Sequence, residues 1–557
     1  MIAAALFAAA SAWHWVHVQR DTRTPETIAA EYLLVAGISV LVLSLLNRFG
    51  ASIPQLRVKS WLLDASASAA LAASIWLLGM RQFGGYDHSE LIQAGWLQLS
   101  SLVPFKDYPC TFPPLFFIGA KYAFLLFGMR WSACVLAMVV FAVSSFLFLS
   151  RQFRALGFSS IGAASLALTA ELGTTVVCSF WWYNPVTSMV AVMVFASALV
   201  CLARSKEWTP WILLGLSFTL LVLCKPNAWP IGACGALLCL TREASQRTRA
   251  LGVLILSVTS AGIVCWLHNL NPVDVLNTYS RIAQTRGNPL RSIVLRDWEP
   301  TEAYILMVSA TVMGLLFLAV VAVGYDEFRQ HWHEHACCCF AAFTGLAMFN
   351  MNGEIKTSDL MPLIVALTVA AFRPWSAKRF DWFGRTATFI VIVFFVTLSS
   401  YWGVTRLRVR GAGERMFFEN GATETIQTGF FQGLHSGPRL PRVLGQLERA
   451  LSKYSSNKVF FGPRIEFSYA VFLREPPRGL PVWWDPGTSF AVSDLPAISH
   501  SLEASDFDLM IFLKNDCTRM PIQPLRHKLQ SYDHVVEFSE LDVYVRRKGP
   551  EVATVLP

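Results

Sequence analysis

Charged residues are scarce in this chain. Asp, Glu, Lys and Arg make up 15% of its 557 residues, whereas soluble globular proteins average about 25%. Hydrophobic residues make up 54%, and the mean hydropathy is +0.45. This composition excludes an ordinary soluble enzyme and indicates a membrane protein with many apolar spans.

Several site-forming motifs are also missing. None of the twelve cysteines forms a CxxC pair, and ten lie in apolar runs, where a thiol behaves as a small hydrophobic group. The cysteine run 337–339 lacks metal-ligand spacing. The net charge of +9 is not gathered in a compact basic domain, so no nucleic-acid partner is indicated. No cofactor is predicted, although an Asp/Glu pair leaves a divalent metal open.

The charge that is present is distributed unevenly. Residues 1–405 hold 27 Lys and Arg and 20 Asp and Glu, and residues 406–557 hold 19 and 17. Charge density therefore doubles after residue 405. This change predicts a transmembrane catalytic domain over 1–405 and a small soluble domain over 406–557, hereafter the tail.

Apolar stretches between charged breaks predict about thirteen transmembrane helices. The predicted spans are 2–18, 28–46, 61–79, 131–149, 161–180, 185–203, 209–224, 228–240, 250–268, 303–324, 336–350, 358–372 and 386–404. Several are shorter than the roughly 20 residues that cross a bilayer, so their ends and number are approximate.

Lys and Arg residues predict the orientation. With a cytoplasmic N-terminus, inside loops hold 15 of these cations and outside segments hold 12, eight of them in two long segments, 80–130 and 269–302. The short loops then follow the positive-inside rule. An odd number of spans puts the tail outside the cytoplasm, so we expect a bacterial inner-membrane protein with a periplasmic or extracellular tail.

The first long outside segment carries an acidic pair beside a span. Asp87 and Glu90 lie within one helical turn of each other. A Pro-Pro pair at 113–114 separates two predicted interfacial helices, 88–99 and 115–127. On position alone Asp87 is best explained as a helix cap, and an acid at a wet pocket is the alternative.

The segment from Tyr86 to Gly128 resembles the first extracytoplasmic loop of the GT-C glycosyltransferases. It has an acidic start, a helix, VPFKDY, the Pro-Pro pair, a second helix and LFG. It is most similar to the loop of the protein O-mannosyltransferases and lipid A aminoarabinose transferases. The resemblance continues more loosely through YNP at 183–185 and CKPN at 224–227. It implies a GT-C-like polytopic helical fold with a small C-terminal α/β domain, and Asp87 as the general base.

Two positions depart from the family pattern. Its members often have a basic residue or His before the Pro-Pro pair, near the lipid phosphate, where this chain has Phe112. Some members have a second acid where this chain has Asn184. The contacts to the donor are therefore expected to differ from those of the family.

The resemblance implies transfer of a sugar from a polyprenyl-phosphate donor to an acceptor hydroxyl. Asp87 would take the acceptor proton, and cations or amides would hold the departing phosphate. One acid suffices for inverting attack, whereas retention needs a nucleophile, which Glu90 would supply. The expected partners are this donor, a lipid, glycan or protein acceptor, and membrane lipids. The alternative is a transporter or flippase of a lipid-linked sugar, although no matching halves are found.

Cations at the outer ends of spans are candidates for the phosphate site. Lys225 and Lys356 are preferred because each is the only cation in a tight outside turn. Further candidates recur across the second long segment: Arg281, Arg286, Arg291 and Arg296. Considered singly, each cation is better explained by topology or by snorkelling to the interface. Glu171 lies in the middle of a predicted span, where an ionisable group is functional by default, unless it is protonated or paired with Ser or Thr.

The tail alternates short apolar runs with polar stretches, which predicts a small α/β domain. The predicted strands are KVFFG (458–462), DLMIFL (508–513), HVVEF (534–538) and DVYVRR (542–547), and the predicted helices are 440–455 and 519–530. Trp483 and Trp484 stand beside an acid, a composition that suits sugar stacking, although paired tryptophans more often pack in a core.

The predicted orientation can be tested by cysteine labelling in intact cells. A cysteine placed at Ser456 is expected to react with a membrane-impermeant reagent, because the tail is predicted outside. A cysteine at Ser52 is expected to stay unlabelled, and the parent chain measures the background from native thiols. Labelling at Ser52 alone would reverse the orientation and put Asp87 on the cytoplasmic side.

Overall fold

The computed structural model of this protein describes most of the chain between residues 59 and 547. The described ranges are 59–81, 83–85, 87–175, 178–204, 206–240, 243–286, 325–352, 357–372, 417, 424–454, 458–484, 489–514 and 527–547. The spans predicted at 2–18, 28–46, 303–324 and 386–404 lie outside these ranges or almost entirely so. The predicted helix 519–530 also falls mostly outside them.

Helices make up the described part of residues 59–372. Twelve α-helices are described there: α1 Ser60–Gly79, α2 Asp87–Leu99, α3 Pro114–Phe127, α4 Trp131–Ala155, α5 Ser160–Thr175, α6 Tyr183–Ala203, α7 Trp208–Leu223, α8 Ala233–Cys239, α9 Ala244–Leu267, α10 Pro272–Arg286, α11 Tyr325–Asn352 and α12 Thr357–Phe372. A 3₁₀ helix, Pro226–Gly232, precedes α8.

Four of the described helices, α1, α4, α6 and α9, are long and apolar enough to cross a membrane. Helix α6 is the most enclosed of them, with 89% of its most apolar window buried, whereas α9 has 22% buried. Because a helix that is apolar all round is stable inside a bundle, α6 forms the centre of the described helices and α9 lies at their edge.

Two predicted spans differ in form from the helices found. The stretch 228–240 is a 3₁₀ helix followed by the seven-residue α8, and Pro230 interrupts it. Proline removes a backbone donor, so a continuous α-helix is not formed there. Helix α11 begins at Tyr325, before the predicted start at 336, and its backbone is non-helical at His331.

The two helices predicted in the first long segment are present as α2 and α3. The surroundings of α3 fit the expected interfacial position, whereas those of α2 do not. On α3, Leu125 and Leu126 are exposed, as an interfacial helix requires. On α2, both polar and apolar side chains are buried, including Ser89, Gln93 and Leu97. The prediction of a membrane-facing α2 is therefore wrong, because other parts of the chain cover that helix.

One carboxylate joins α1 to α4. Asp64 accepts a hydrogen bond from the Ser150 hydroxyl at 2.9 Å and pairs with the Arg154 guanidinium at 2.6 Å. The carboxylate therefore has two partners on a neighbouring helix, which satisfies a charge in an apolar setting.

The tail contains a four-stranded sheet. Its strands, in spatial order, are β3 Val459–Phe461, β4 Leu509–Leu513, β6 Leu541–Arg546 and β5 Tyr532–Val535. Strand β3 is parallel to β4, and the other two pairings are antiparallel. A two-stranded ladder, β1 Glu424–Thr425 with β2 His435–Ser436, precedes the sheet. The α-helices of this region are α13 Arg439–Tyr454, α14 Ser468–Val471 and α15 Leu495–Ala504.

The two faces of the sheet belong to different cores. Val459, Phe461 and Ile511 point to a core that is continuous with the helices of residues 59–372. Phe460 and Met510 point to a separate core that contains Trp484. Both Trp483 and Trp484 are buried, so the expectation that a tryptophan pair packs in a core is confirmed. The shared core ties the tail to the helices.

Helix α3 approaches the segment before α6 very closely at one glycine. A Cβ at Gly119 would lie 2.1 Å from the Trp181 ring, and Trp181 Nε1 donates to the Phe116 carbonyl at 3.1 Å. The close approach therefore needs a residue without a side chain.

Gly119→Ala is expected to lower thermal stability, because forcing one more carbon into a packed contact costs about 1–3 kcal/mol. Gly252→Ala in α9 is the control, since nothing lies within 4 Å of its Cβ position. The control is expected to be neutral or stabilising by up to about 1 kcal/mol. Thermal unfolding in detergent measures both, and equal shifts in Tm would contradict the close packing at Trp181.

Candidate functional site

Asp87 begins α2 and is half-buried, and Glu90 is buried one turn later with 1% of its surface exposed. Asp87 is the first residue of α2. The positive end of the helix dipole favours a carboxylate at this place. The first turn of α2 therefore carries both acids that the sequence singled out.

The chain reaches this turn through a glycine that no other residue can replace. Gly85 has φ of +84°, and a Cβ there would lie 2.5 Å from the Phe417 ring. Both the positive φ and the close ring require glycine. Phe417 thus packs on the approach to Asp87.

Ser89, two residues after Asp87, is hydrogen-bonded to the tail. Its hydroxyl donates to Glu466 Oε2 at 3.0 Å and accepts the Phe467 backbone N–H at 3.1 Å. Ser89 is 1% exposed and Glu466 is 4% exposed. Hydrogen bonds to a buried charged group contribute about 1.5–3 kcal/mol, so this contact holds the first turn of α2 against the tail.

Further hydrogen bonds join the tail to the same region. Trp96 Nε1 donates to the Arg474 carbonyl at 2.8 Å, near the other end of α2. The His435 N–H donates to the Met80 carbonyl at 3.0 Å, just before the acidic turn. The tail therefore contacts α2 at both ends and covers much of its surface.

An aromatic wall lies beside the acidic turn. The imidazole of His88, next to Asp87, packs on Phe180 with ring centroids 4.3 Å apart. Phe180 contacts Trp182 at 6.0 Å, and Trp182 contacts Tyr183 at 4.7 Å. Residues 180–183 form the aromatic wall; residues 180–182 are irregular, and Tyr183 is the first residue of α6.

Lys225 lies at the other end of the aromatic wall. Its ammonium group is 5.0 Å from the centre of the Tyr183 ring, a cation–π contact. Lys225 occupies the turn between α7 and the 3₁₀ helix, as predicted from KPN. The wall thus runs from His88, the residue after Asp87, to Lys225.

Buried polar atoms without hydrogen-bond partners surround the Lys225 turn. Within the described part of the chain, Trp182 Nε1, Asn184 Oδ1 and the Tyr279 hydroxyl have none. Burial, together with the nearby thiols of Cys110, Cys224 and Cys265, raises the pKa of Tyr279 well above its usual value. The Tyr279 hydroxyl therefore stays protonated. Because buried polar groups are normally paired, these atoms mark a place where a polar ligand would complete the hydrogen bonding.

Arg281, a predicted phosphate ligand, pairs with the tail instead of with the aromatic wall. Its guanidinium lies 2.5 Å from the Asp494 carboxylate. Arg286 ends α10, and its side chain lies outside the description. Lys356, Arg291 and Arg296 also lie outside the described residues.

Glu171 lies inside α5 and is completely buried. Its carboxyl group faces Ser145 on α4. No described contact joins Glu171 to the acidic turn or to Lys225, so a functional role for it stays a prediction.

The aromatic wall, Tyr279 and Glu466 were not identified from the sequence. The run FWWY at 180–183 between two predicted spans was a signal for the wall, because consecutive aromatic residues at a span end suit a membrane interface. No local pattern points to Tyr279 or to Glu466, which reach the site only through folding.

No protein-family model and no curated protein sequence matches this chain. Solved structures do match. ArnT from Cupriavidus metallidurans in the apo state aligns with a TM-score of 0.48 and 11% identity, over 87% of this chain and 99% of that one. The same protein bound to undecaprenyl phosphate aligns with a TM-score of 0.44 and 10% identity, over 89% and 100%.

The oligosaccharyltransferase of Archaeoglobus fulgidus, in complex with Zn and sulfate, aligns with a TM-score of 0.38 and 12% identity, over 81% of this chain and 68% of that one. At these identities and TM-scores the likeness is one of backbone layout.

Ser89→Ala is expected to loosen the acidic turn, because it removes the donor to buried Glu466. Amide hydrogen exchange at residues 88–92 is expected to become about 10-fold faster or more, as follows from a loss of about 1.5–3 kcal/mol. Trp96→Phe is the matched control, since it removes a hydrogen bond between α2 and the tail near the other end of α2. Unchanged exchange at 88–92 in Ser89→Ala would contradict the role of this contact.

Proposed function

We propose that this protein is a glycosyltransferase that moves a sugar from a polyprenyl-phosphate donor to an acceptor hydroxyl. The observation that carries the proposal is the aromatic wall, which has the acidic turn of Asp87 at one end and Lys225 at the other. A base and a cation at two ends of one wall suit a reaction in which a proton and an anionic leaving group depart from different atoms.

Lys225 and its surroundings form the proposed phosphate site. The ammonium group supplies positive charge, and Trp182 Nε1 and the Tyr279 hydroxyl are buried donors. Hydrogen bonds to a charged phosphate are about twice as strong as those between neutral groups. The phosphate oxygens would therefore complete the hydrogen bonding of the buried donors around Lys225.

Asp87 is the proposed general base. As the acceptor oxygen attacks the anomeric carbon, the carboxylate takes its proton and the bond from that carbon to the phosphate oxygen breaks. A single displacement of this kind inverts the anomeric configuration. Glu90 is buried in the first turn of α2 and remains the candidate nucleophile for a retaining reaction. We place the reaction at the extracytoplasmic face of a bacterial inner membrane, as the charge distribution predicts.

Asp87→Asn is expected to lower kcat by about 10²- to 10⁴-fold, because the amide cannot accept the proton. Donor affinity should change little, since the phosphate contacts lie at the other end of the aromatic wall. The assay uses a polyprenyl-phosphate sugar donor, and NMR of the product determines the anomeric configuration. Wild-type turnover in Asp87→Asn would contradict the assignment of Asp87 as the general base. A retained anomeric configuration would point to Glu90 as the nucleophile.

Lys225→Gln is expected to raise the KM for the lipid donor by about 10-fold, because a charge-assisted contact contributes about 1.5–3 kcal/mol. The variant should still purify as a single species, since Lys225 is only half-buried. Lys121→Gln is the control, because Lys121 is half-buried like Lys225 but lies in the first long segment, with no described contact to the aromatic wall. Equal kinetics in the two variants would place the phosphate elsewhere, first at the undescribed Lys356.

A further inference from the structure

A polar cleft of about 460 Å³ lies against α10. Its lining consists of Phe105, Asp274, Asn277, Thr278, Ser280 and Arg281. Neither Asp87 nor Lys225 lines it, so it is separate from the proposed base and phosphate site. The cleft combines the VPFKDY turn of the first long segment with the first helix of the second.

Phe105, which lines the cleft, has a strained backbone. Its φ is +67°, in the left-handed region that a bulky residue rarely adopts. The turn holds it there: the Phe105 N–H donates to the Tyr108 carbonyl at 3.1 Å, and the Val103 N–H donates to Asp107 Oδ2 at 2.8 Å. Such strain costs about 1–3 kcal/mol and concentrates at functional sites.

The rim of the cleft is held in place by the tail. Asp274, Thr278 and Arg281 are spaced by four and three residues, so they share one face of α10. Arg281 is 2.5 Å from Asp494 of the tail and 3.3 Å from the Thr278 hydroxyl. Asp494 also accepts the Ala491 N–H at 3.2 Å, which fixes its own position. The guanidinium is therefore oriented before any ligand binds.

The lining groups suit a neutral sugar. Asp274 is an acceptor, Asn277 is both donor and acceptor, and the Thr278 and Ser280 hydroxyls can take either role. Such alternation matches the adjacent hydroxyls of a sugar ring, and an aromatic ring packs against its apolar C–H face. Carboxylates at Asp274 and Asp494 disfavour an anionic ligand, although Arg281 is cationic.

Aromatic contacts connect the cleft to the proposed donor site. Phe105 packs on Phe117 and Phe117 on Phe112, each with ring centroids 6.0 Å apart. Phe112 in turn packs on Tyr183 at 5.4 Å, and Tyr183 contacts Lys225. A continuous series of ring contacts therefore joins the cleft to the residues of the proposed phosphate site.

We propose that this cleft binds a neutral sugar unit of the acceptor, which makes a glycan or glycolipid the substrate class. The identification of that sugar as the acceptor rests on the proposed glycosyltransferase function. The cleft then holds the glycan beside the donor site while another of its hydroxyls reaches Asp87.

Saturation-transfer NMR on the full-length protein in nanodiscs tests the binding directly. The probes are the methyl glycosides of mannose, glucose, galactose and N-acetylglucosamine, with glucuronic acid and glucose 1-phosphate as anionic comparators. At least one neutral glycoside is expected to show saturation transfer. Asp274→Ala and Asn277→Ala are each expected to reduce that signal about fivefold or more, since each loses a hydrogen bond to the sugar.

Leu276→Ala is the matched control, because Leu276 lies on α10 outside the lining and is 53% exposed. It is expected to keep the wild-type signal. Because this experiment measures binding alone, a failed transfer assay would overturn the proposed function without touching its result. Three outcomes would overturn the cleft proposal: binding of the anionic probes alone, no signal from any neutral glycoside, or a signal that Asp274→Ala and Asn277→Ala leave unchanged.

Discussion

The hydrogen bonds of Ser89 hold the acidic turn in a single position. Ser89 and Glu466 are 377 residues apart in the chain, and both are buried where they meet. A buried carboxylate needs a donor, and the buried Phe467 N–H needs an acceptor. One serine hydroxyl satisfies both groups. The turn that carries Asp87 therefore cannot shift without breaking the attachment of the tail.

The aromatic wall includes non-helical backbone that other parts of the protein cover. Residues 180–182 are not helical, and backbone outside a helix at membrane depth must be covered by protein or line a wet cavity. Rings from α3 and from the first long segment cover it, and the Trp181 indole bonds directly to the α3 backbone.

The departure at position 112 shows why the sequence predicted some contacts and missed others. Phe112 stands where members of the family that the sequence resembles often have a basic residue or His, so the sequence did not indicate which cation replaces it in the proposed phosphate site. In the structure Phe112 packs on Tyr183, and the cation against that tyrosine is Lys225 from a later turn. Arg281 was a further candidate for the phosphate ligand, but in the structure it pairs with Asp494 of the tail. Only the folded structure shows that Lys225 contacts the aromatic wall and that Arg281 pairs with the Asp494 carboxylate.

Composition and periodicity were sufficient for the local elements. Apolar stretches predicted the helices from Ser60 to Leu223, the Pro-Pro pair placed the boundary before α3, and alternating apolar runs predicted strands β3 and β4. These features depend on neighbours within a few residues, so they can be predicted directly from the sequence. The sequence by itself thus determined a helical membrane part, an α/β tail and an acid at the start of α2. Tertiary structure alone decided that α2 is buried, that Glu466 holds Ser89, and that Lys225 meets Tyr183. Each of these pairs residues far apart in the chain, and which buried polar groups meet depends on how whole helices pack.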